Sequence, residues 1–222
     1  MAEKRFYCVL AILFCLMGCI FIYEKNSKAV SASTYTEKKK IVAITFDDGP
    51  HYKNTKLLLD GLRERGVKAT FFLVGSRIQG NEDLILQMYR DGHLIGNHTF
   101  SHANLTGIPD EDVLGEVIQT NELIEAITGE KVRYLRPPCG YWNEKLAMKI
   151  NMNPVFWTVD PKDWQATNVS QVVNAVMKDV EEGDIILLHD IYNSSVVAAL
   201  EIVDRLLDMG YEFVTVDEIL SK

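Results

Sequence analysis

The amino-acid sequence predicts an α/β fold in which strands and helices alternate around a (β/α) barrel that need not be complete. From residue 40 onward, short apolar runs alternate with longer amphipathic segments about seven times, as in successive βα units. Polar residues follow directly after these runs, where α/β folds gather ligands and catalytic groups. The pattern favours a barrel over an open sheet, although it leaves both as alternatives.

The N-terminus contains an apolar segment that we expect to lie outside the folded domain. Residues 6–23 hold no charged side chain and follow Lys4 and Arg5. As a helix they would span roughly 27 Å, which is close to the minimum for a membrane. The positive flank predicts a signal-anchor with residues 1–5 in the cytoplasm. A cleaved signal peptide ending near residue 32 and a lipoprotein signal are the alternatives, and all three export the chain.

The rest of the chain is predicted to be a linker followed by one acidic domain. Residues 24–39 are polar and rich in Ser, Lys and Thr, and residues 40–222 carry the alternating pattern. The net charge of the chain is −8, and the domain is more acidic still because basic residues outnumber acidic ones in the first 36 positions. This charge argues against nucleic acid as a partner and against adhesion of the domain to anionic lipid.

The strands are predicted from short runs of apolar and β-branched residues that are bounded by Gly, Pro and polar turns. Because helices separate them, we expect parallel pairing through right-handed crossovers. In chain order the predicted strands are 41–44, 69–74, 94–95, 134–135, 155–159, 185–188 and 212–214.

The helices are predicted from apolar residues at three- and four-residue spacing and from start and stop signals. Gly66 and Gly210 follow the first and last helices as stop signals, and Ser170 is expected to cap the fifth. An acidic first turn in the third helix suits the helix macrodipole. In chain order the predicted helices are 54–65, 82–90, 110–128, 144–150, 170–180 and 196–209.

Two adjacent carboxylates, Asp47 and Asp48, stand between the first strand and Gly49-Pro50. Neighbouring residues on a strand point to opposite faces, so the two carboxylates should have different roles unless the turn rotates them together. An ordinary polar turn is the alternative, since Asp-Gly is common turn chemistry.

The next polar cluster contains two histidines, His98 and His102, at a spacing of four residues. On one helical turn both imidazoles would share a face and come within reach of one metal ion. With Asp48 as a third ligand, the set becomes two histidines and one carboxylate, as in catalytic zinc sites that leave room for water. Two histidines without a metal role are the alternative.

Three further clusters follow later strands. Arg136, which could pair with a catalytic carboxylate, precedes a rigid Pro-Pro-Cys-Gly turn suited to presenting an N–H to an oxyanion. Asp163 could orient an imidazole, and Trp164 offers an apolar wall. His189 ends an otherwise apolar strand and, with an ordinary pKa of about 6.5, could act as a general acid. Structural turns and a core histidine are the alternatives.

Taken together, these clusters resemble the polysaccharide deacetylase family, the NodB homology or carbohydrate esterase family 4 domain. The resemblance covers about residues 40–220. Residues 45–50 (Thr-Phe-Asp-Asp-Gly-Pro) match the first motif of the family without change, and residues 98–102 match its metal-binding second motif. The resemblance implies a distorted, incomplete (β/α) barrel of the NodB type.

The resemblance also implies roles for the polar residues. Asp47 would be the general base, tethered by Arg136, and His189 would be the general acid, oriented by Asp163. A divalent metal would be bound, with zinc as the default and cobalt, nickel or manganese able to use the same donors. The implied metal ligands are Asp48, His98 and His102, and the implied lining of the pocket for the acetyl methyl group is Trp164 and Leu187.

The third motif departs from the family pattern because Cys139 stands where an aromatic residue is usual. The backbone N–H of Cys139 remains the candidate oxyanion donor, since the neighbouring prolines have none. The replacement by Cys139 removes the aromatic side chain that would form part of the pocket wall. Ala103 replaces a proline that often follows the second motif, and we expect little effect from it.

The implied function is removal of N-acetyl groups from a polysaccharide of the cell envelope, with peptidoglycan as the leading substrate. Chitooligosaccharide, O-acetylated xylan and a non-catalytic glycan-binding role are the alternatives. A glycoside hydrolase is disfavoured because adjacent Asp47 and Asp48 cannot readily flank a glycosidic bond at separations of roughly 5–10 Å. The oligomeric state is left open.

Overall fold

The strand that carries Asp47 lies in the interior of the sheet. In the computed structural model, which describes residues 40–221, β1 (Lys40–Asp47) has parallel neighbours on both sides. Its C-terminal half pairs with β2 (Thr70–Leu73) and β6 (Ile185–His189), and its beginning pairs with β7 (Tyr211–Phe213). Six consecutive positions of β1 are buried, as expected for a strand that is covered on both faces.

The sheet is parallel throughout and curls into a partial barrel. Its remaining strands are β3 (Leu94–Asn97), β4 (Tyr134–Leu135) and β5 (Asn153–Pro154). The strand order is β5-β4-β3-β2-β1-β6, with β7 beside β1.

A short irregular segment joins the two edges of this sheet. The Val155 N–H donates to Leu135 O at one edge, and the Leu187 N–H donates to Val159 O at the other. The sheet is therefore closed by one bridge rather than by a full strand. The predicted fold class, an incomplete (β/α) barrel, is confirmed.

Helices follow most strands in the described part of the chain, and the predicted helices are all present. Those predicted at 82–90 and 110–128 have the observed bounds, whereas the ends of the others differ by one to three residues. The helix predicted at 196–209 begins three residues earlier, at Asn193. In chain order the helices are α1 (Asn54–Glu64), α2 (Glu82–Arg90), α3 (Asp110–Thr128), α4 (Glu144–Lys149), α5 (Val169–Asp179), α6 (Asn193–Asp208) and α7 (Val216–Leu220).

Two predictions of local structure are wrong. Residues 155–159 do not form a strand, because the Arg136 guanidinium takes the Val155 and Phe156 carbonyls at 3.4 and 3.3 Å and removes them from a ladder. The cap of α5 is Asn168 rather than Ser170, since the Asn168 side chain accepts the Gln171 N–H at 3.0 Å. In the first case a distant side chain replaces the expected ladder, and in the second a side chain two residues earlier caps the helix.

Helix α7 is absent from the predictions because its five residues are too few to show a periodicity. Its N-terminus carries a capping box, in which Thr215 and Glu218 satisfy each other's backbone N–H groups. A threonine followed three residues later by glutamate is the sequence signal that could have revealed it.

The main core packs against β1, β2 and β6 and supports the strand ends that carry the polar clusters. Phe46 and Phe71 stack with ring centroids 5.3 Å apart, and Ile202 of α6 is fully buried in the same cluster. Each such side chain contributes roughly 2–3 kcal/mol by leaving water. The carboxyl ends of these strands therefore rest on a rigid base.

The predicted membrane segment at residues 6–23 and the linker at 24–39 lie outside the described residues. Within residues 40–221, no helix combines the length and the apolar character needed to span a membrane.

Candidate active site

The turn after β1 brings Asp47 and Asp48 to the same place. Asp48 adopts a left-handed backbone with φ of 73°, which cancels the alternation expected of a strand. As a result, Asp47 Oδ2 lies 3.7 Å and Asp48 Oδ1 lies 3.5 Å from one atom, His98 Nε2. A left-handed conformation is costly for a residue other than glycine, so the surrounding contacts must hold it.

His98 and His102 come together without a helical turn. Residues 98–102 are irregular, and both Thr99 and His102 have positive φ, so the predicted helical geometry is wrong. The two imidazole centroids are nevertheless 5.0 Å apart, and His102 Nε2 lies 3.3 Å from Asp48 Oδ1. One ligand atom from each of Asp48, His98 and His102 lies within 4.8 Å of the other two.

This cluster has the donor set and protonation that a divalent cation requires. Among residues 40–221, buried Asp48 Oδ1 has no hydrogen-bond partner, although it lies between two imidazoles. His98 Nδ1 donates to Arg136 O at 2.7 Å, which leaves the lone pair of Nε2 facing Asp48. Burial lowers the pKa of His98, against the charges of Asp47 and Asp48, and favours the neutral imidazole that binds metal. The residues therefore fit such an ion.

Arg136 is fully buried and orients Asp47. Its Nη1 donates to Asp47 Oδ1 at 2.8 Å and to Thr45 Oγ1 at 2.6 Å, and its guanidinium lies 4.3 Å from the Phe72 ring centroid. Burial lowers the pKa of Arg136, while the charge and hydrogen bond of Asp47 oppose the shift. A guanidinium remains charged in proteins, so Asp47 has a permanent cationic partner and its other oxygen faces His98.

His189 lies opposite Asp47 in the pairing of β1 with β6. Buried Asp163 accepts from His189 Nδ1 at 2.7 Å through one oxygen and from the His189 N–H at 2.8 Å through the other. Burial lowers the pKa of His189, but the hydrogen bond and charge of Asp163, aided by Asp47 and Asp48, outweigh it and raise the pKa to about 9. The imidazole is consequently a cation at neutral pH, and its Nε2–H is available to donate a proton.

The other predicted site residues are Cys139, Trp164 and Leu187. Cys139 is exposed with a φ of 55°, Trp164 is half-exposed, and Leu187 is buried on β6. In the described part of the chain, no hydrogen bond or ring contact joins these three to the carboxylates and histidines. The Cys139 N–H takes part in no hydrogen bond within residues 40–221, which leaves it available to a ligand.

Sequence reasoning missed two buried polar residues that support the site. Thr45 Oγ1 accepts a hydrogen bond from Arg136 Nη1 and donates one to Ile186 O at 2.7 Å. The second bond ties β1 to β6. Asn97 donates to Val117 O at 2.8 Å and accepts the Thr99 N–H at 2.7 Å, which fixes the loop that carries the histidines. Their signal in the sequence is a polar residue at the buried end of an apolar strand.

Comparison with known proteins agrees with this geometry. The family described as polysaccharide deacetylase matches residues 34–155. The peptidoglycan-N-acetylmuramic acid deacetylase PdaC of Bacillus subtilis is 39% identical over 84% of this chain and 40% of its own length, so the chain spans two fifths of that relative. A peptidoglycan-N-acetylglucosamine deacetylase of Bacillus cereus is 42% identical over 82% of this chain and 89% of its own length.

The fold of this chain is also found in a solved structure of PdaC from Bacillus subtilis. The two superpose with a TM-score of 0.81 at 38% identity, over 83% of this chain and 91% of that one. Sequence and structure agree, and this chain belongs to the polysaccharide deacetylase family.

Proposed function

We propose that this chain is a metal-dependent hydrolase that removes N-acetyl groups from the amino sugars of extracytoplasmic peptidoglycan. The observation that carries the proposal is the approach of Asp47, Asp48 and His102 to one imidazole, that of His98. The choice of peptidoglycan rests on the names of the relatives, which are peptidoglycan deacetylases.

We assign Asp48, His98 and His102 as the metal ligands. The unpartnered Asp48 oxygen and the tautomer of His98 support this assignment. Two histidines and one carboxylate suit zinc, and cobalt, nickel or manganese could use the same donors. A divalent cation held there would polarise the acyl oxygen and acidify a water molecule.

Asp47 is the proposed general base. It would accept a proton from the water that attacks the amide carbonyl of the acetyl group. The bond from Arg136 occupies Oδ1 and leaves Oδ2 on the side of His98. Because Arg136 is buried and held on several sides, the base is positioned before substrate binds.

His189 is the proposed general acid. Its Nε2 would give a proton to the departing amine, which would otherwise be a poor leaving group. Asp163 keeps the proton on Nδ1 and stabilises the imidazolium, so the pKa of about 9 supplies the charged form at neutral pH. Base and acid lie at paired positions of neighbouring strands, and from there they would act on two sides of the reacting carbonyl.

The remaining roles concern the acetyl group itself. The Cys139 N–H would donate to the developing oxyanion, and a donor of this kind contributes roughly 3–4 kcal/mol. Trp164 and Leu187 would line the pocket for the methyl group, which agrees with the apolar character of both side chains. Acetate and a free amino sugar are the products.

Acetate release tests the proposal. The purified domain is incubated with peptidoglycan, chitin oligomers and acetylated xylan, each with and without a chelator. We expect acetate from peptidoglycan, loss of release with the chelator and recovery with added zinc. Release from only one of the other polymers would reassign the substrate. No release from any polymer by metal-loaded protein that still binds glycan would replace the enzyme with a binding module.

We also propose that residues 6–23 anchor the enzyme in the membrane and that residues 24–39 link them to an external domain at 40–222. The uncharged run after Lys4 and Arg5 supports this arrangement. Fractionation of cells that carry a C-terminally tagged chain should place the tag in the membrane and make it accessible from outside. Recovery in the medium of a chain that begins near residue 33 would indicate a cleaved signal instead.

A further inference from the structure

The residue after the proposed acid, Asp190, is a fully buried carboxyl group that the mechanism above does not use. Its Oδ2 accepts a hydrogen bond from the Thr55 hydroxyl, whereas Oδ1 has no partner among the described residues. Burial raises the pKa of Asp190 to about 7, with the Thr55 hydrogen bond opposing the shift and the charge of Asp48 adding to it. A buried, half-satisfied carboxyl group is costly, and such groups are usually held for a purpose.

The carboxyl group of Asp190 lies against the turn that carries Asp48. A Cβ atom added to Gly49 would lie 2.4 Å from Asp190 Oδ2 and 2.5 Å from Oδ1, so the carboxyl group occupies the space of a side chain there. Gly49 is not among the residues with positive φ, which means that space rather than backbone conformation requires glycine. The left-handed Asp48, directly before it, is therefore supported from behind by Asp190.

One further hydrogen bond supports Thr55 from within its own segment, and another joins the two segments. Thr55 Oγ1, while donating to Asp190, accepts the His51 N–H at 2.8 Å. The Asn54 side chain donates to Ile191 O at 2.7 Å. Together with the bond from Thr55 to Asp190, this ties the beginning of α1 at two points to the residues that follow β6.

We propose that Asp190, held by Thr55, is a positioning residue that supports the Asp48 turn and keeps it aligned with His189. Asp190 affects the reaction only through the Asp48 turn and His189. The inference rests on the proposed function, because it takes Asp48 as a metal ligand and His189 as the acid. Groups behind a ligand typically change metal affinity by 10- to 100-fold when they are lost.

The first test compares Thr55→Val with Thr55→Ser. Valine keeps the shape of threonine and loses the hydroxyl group, whereas serine keeps the hydroxyl. Affinity for zinc is measured by competition with a chromophoric chelator, and kcat and KM are measured at saturating zinc. We expect Thr55→Val to weaken zinc binding at least about tenfold and to lower kcat with little change in KM. Thr55→Ser should remain within about threefold of the wild type. Unchanged affinity and kcat in a Thr55→Val protein with a lowered Tm would reduce the pair to a structural role and overturn the proposal.

The second test combines Gly49→Ala with Asp190→Ala. In the wild-type background the new methyl group meets the carboxyl group, so Gly49→Ala should weaken zinc binding at least about tenfold. In the Asp190→Ala background the space is free, and the same change should cost no more than about threefold. Equal losses in both backgrounds would show that the carboxyl group does not support the turn.

Zinc affinity also separates this inference from the proposed function. If the wild-type chain binds zinc but releases no acetate, the proposed function fails, whereas the affinity comparison still decides the role of Asp190. If Asp190→Ala does not fold, the Thr55 variants decide it, since they leave the carboxyl group in place.

Discussion

Replacing Asp163 with asparagine is the sharpest test of the proposed acid. The change keeps the size of the side chain and removes its charge. The amide oxygen can still accept one of the two hydrogen bonds that His189 now donates to Asp163. The imidazole therefore stays near its place, while the main cause of its raised pKa is lost.

The expected effect depends on pH in a calculable way. Without the Asp163 carboxylate, burial pulls the pKa of His189 down from about 9 towards or below its ordinary value of 6.5. For a pKa of about 6.5 in the variant, the protonated fraction falls about 30-fold at pH 8 but only about 1.3-fold at pH 6. Loss of activity from misplaced geometry would instead be similar at both pH values. A cation bound between Asp48 and the histidines affects wild type and variant alike, so the comparison isolates Asp163.

The assay is the pH profile of kcat for acetate release, measured for wild type, Asp163→Asn and the control Asp160→Asn. Asp160 is exposed and lies in the same loop, and among residues 40–221 its side chain accepts a hydrogen bond only from the Lys162 N–H, so its profile should match that of the wild type. We expect the alkaline limb of Asp163→Asn to move at least two pH units towards acid, from the value near 9. A loss of equal size at pH 6 and pH 8 would refute the proposed role of His189 as an acid whose charge Asp163 maintains.

Three further predictions concern other parts of the site. Asp47→Asn should bind zinc like the wild type and lose at least about 100-fold in kcat, whereas His98→Ala should lose zinc binding, as measured by chelator competition. Arg136→Met should lower the free energy of unfolding by about 3–5 kcal/mol in denaturant titrations, because it leaves the Asp47 carboxylate buried without a partner; exposed Arg133→Met should change it by less than about 0.5 kcal/mol. Cys139→Ala should keep kcat within about threefold because the N–H remains, and a hundredfold loss would show that the thiol matters.

The elements of the fold that depend on local sequence could be predicted, and those that depend on distant partners could not. The apolar run at residues 41–44 predicts the first strand, because a strand that is buried on both faces requires an apolar sequence. Residues 155–159 look equally suited to a strand. The Val155 and Phe156 carbonyls accept from Arg136, which lies about twenty residues earlier in the chain, and no local pattern reports that contact.

The candidate site shows the same division. The residue types and their spacing in the first two motifs predicted the approach of Asp48, His98 and His102. The backbone that achieves it could not be predicted, since left-handed conformations at Asp48 and His102 have no marker when the residue is not glycine. The role of Thr45 was likewise hidden, because its partners are distant in the chain: the Arg136 side chain follows β4, and the Ile186 carbonyl lies on β6.

Buried Arg136 fixes the orientation of two other side chains in this site. The guanidinium of Arg136 holds Asp47, while its backbone carbonyl accepts from His98 Nδ1 and sets the imidazole tautomer. Burying a charge of this kind is favourable only when an opposite charge lies beside it, so the cost of burying Arg136 is offset when Asp47 is a carboxylate. That is the form a general base needs. The contact that offsets the burial of Arg136 is thus the same contact that holds Asp47 in place for its proposed role.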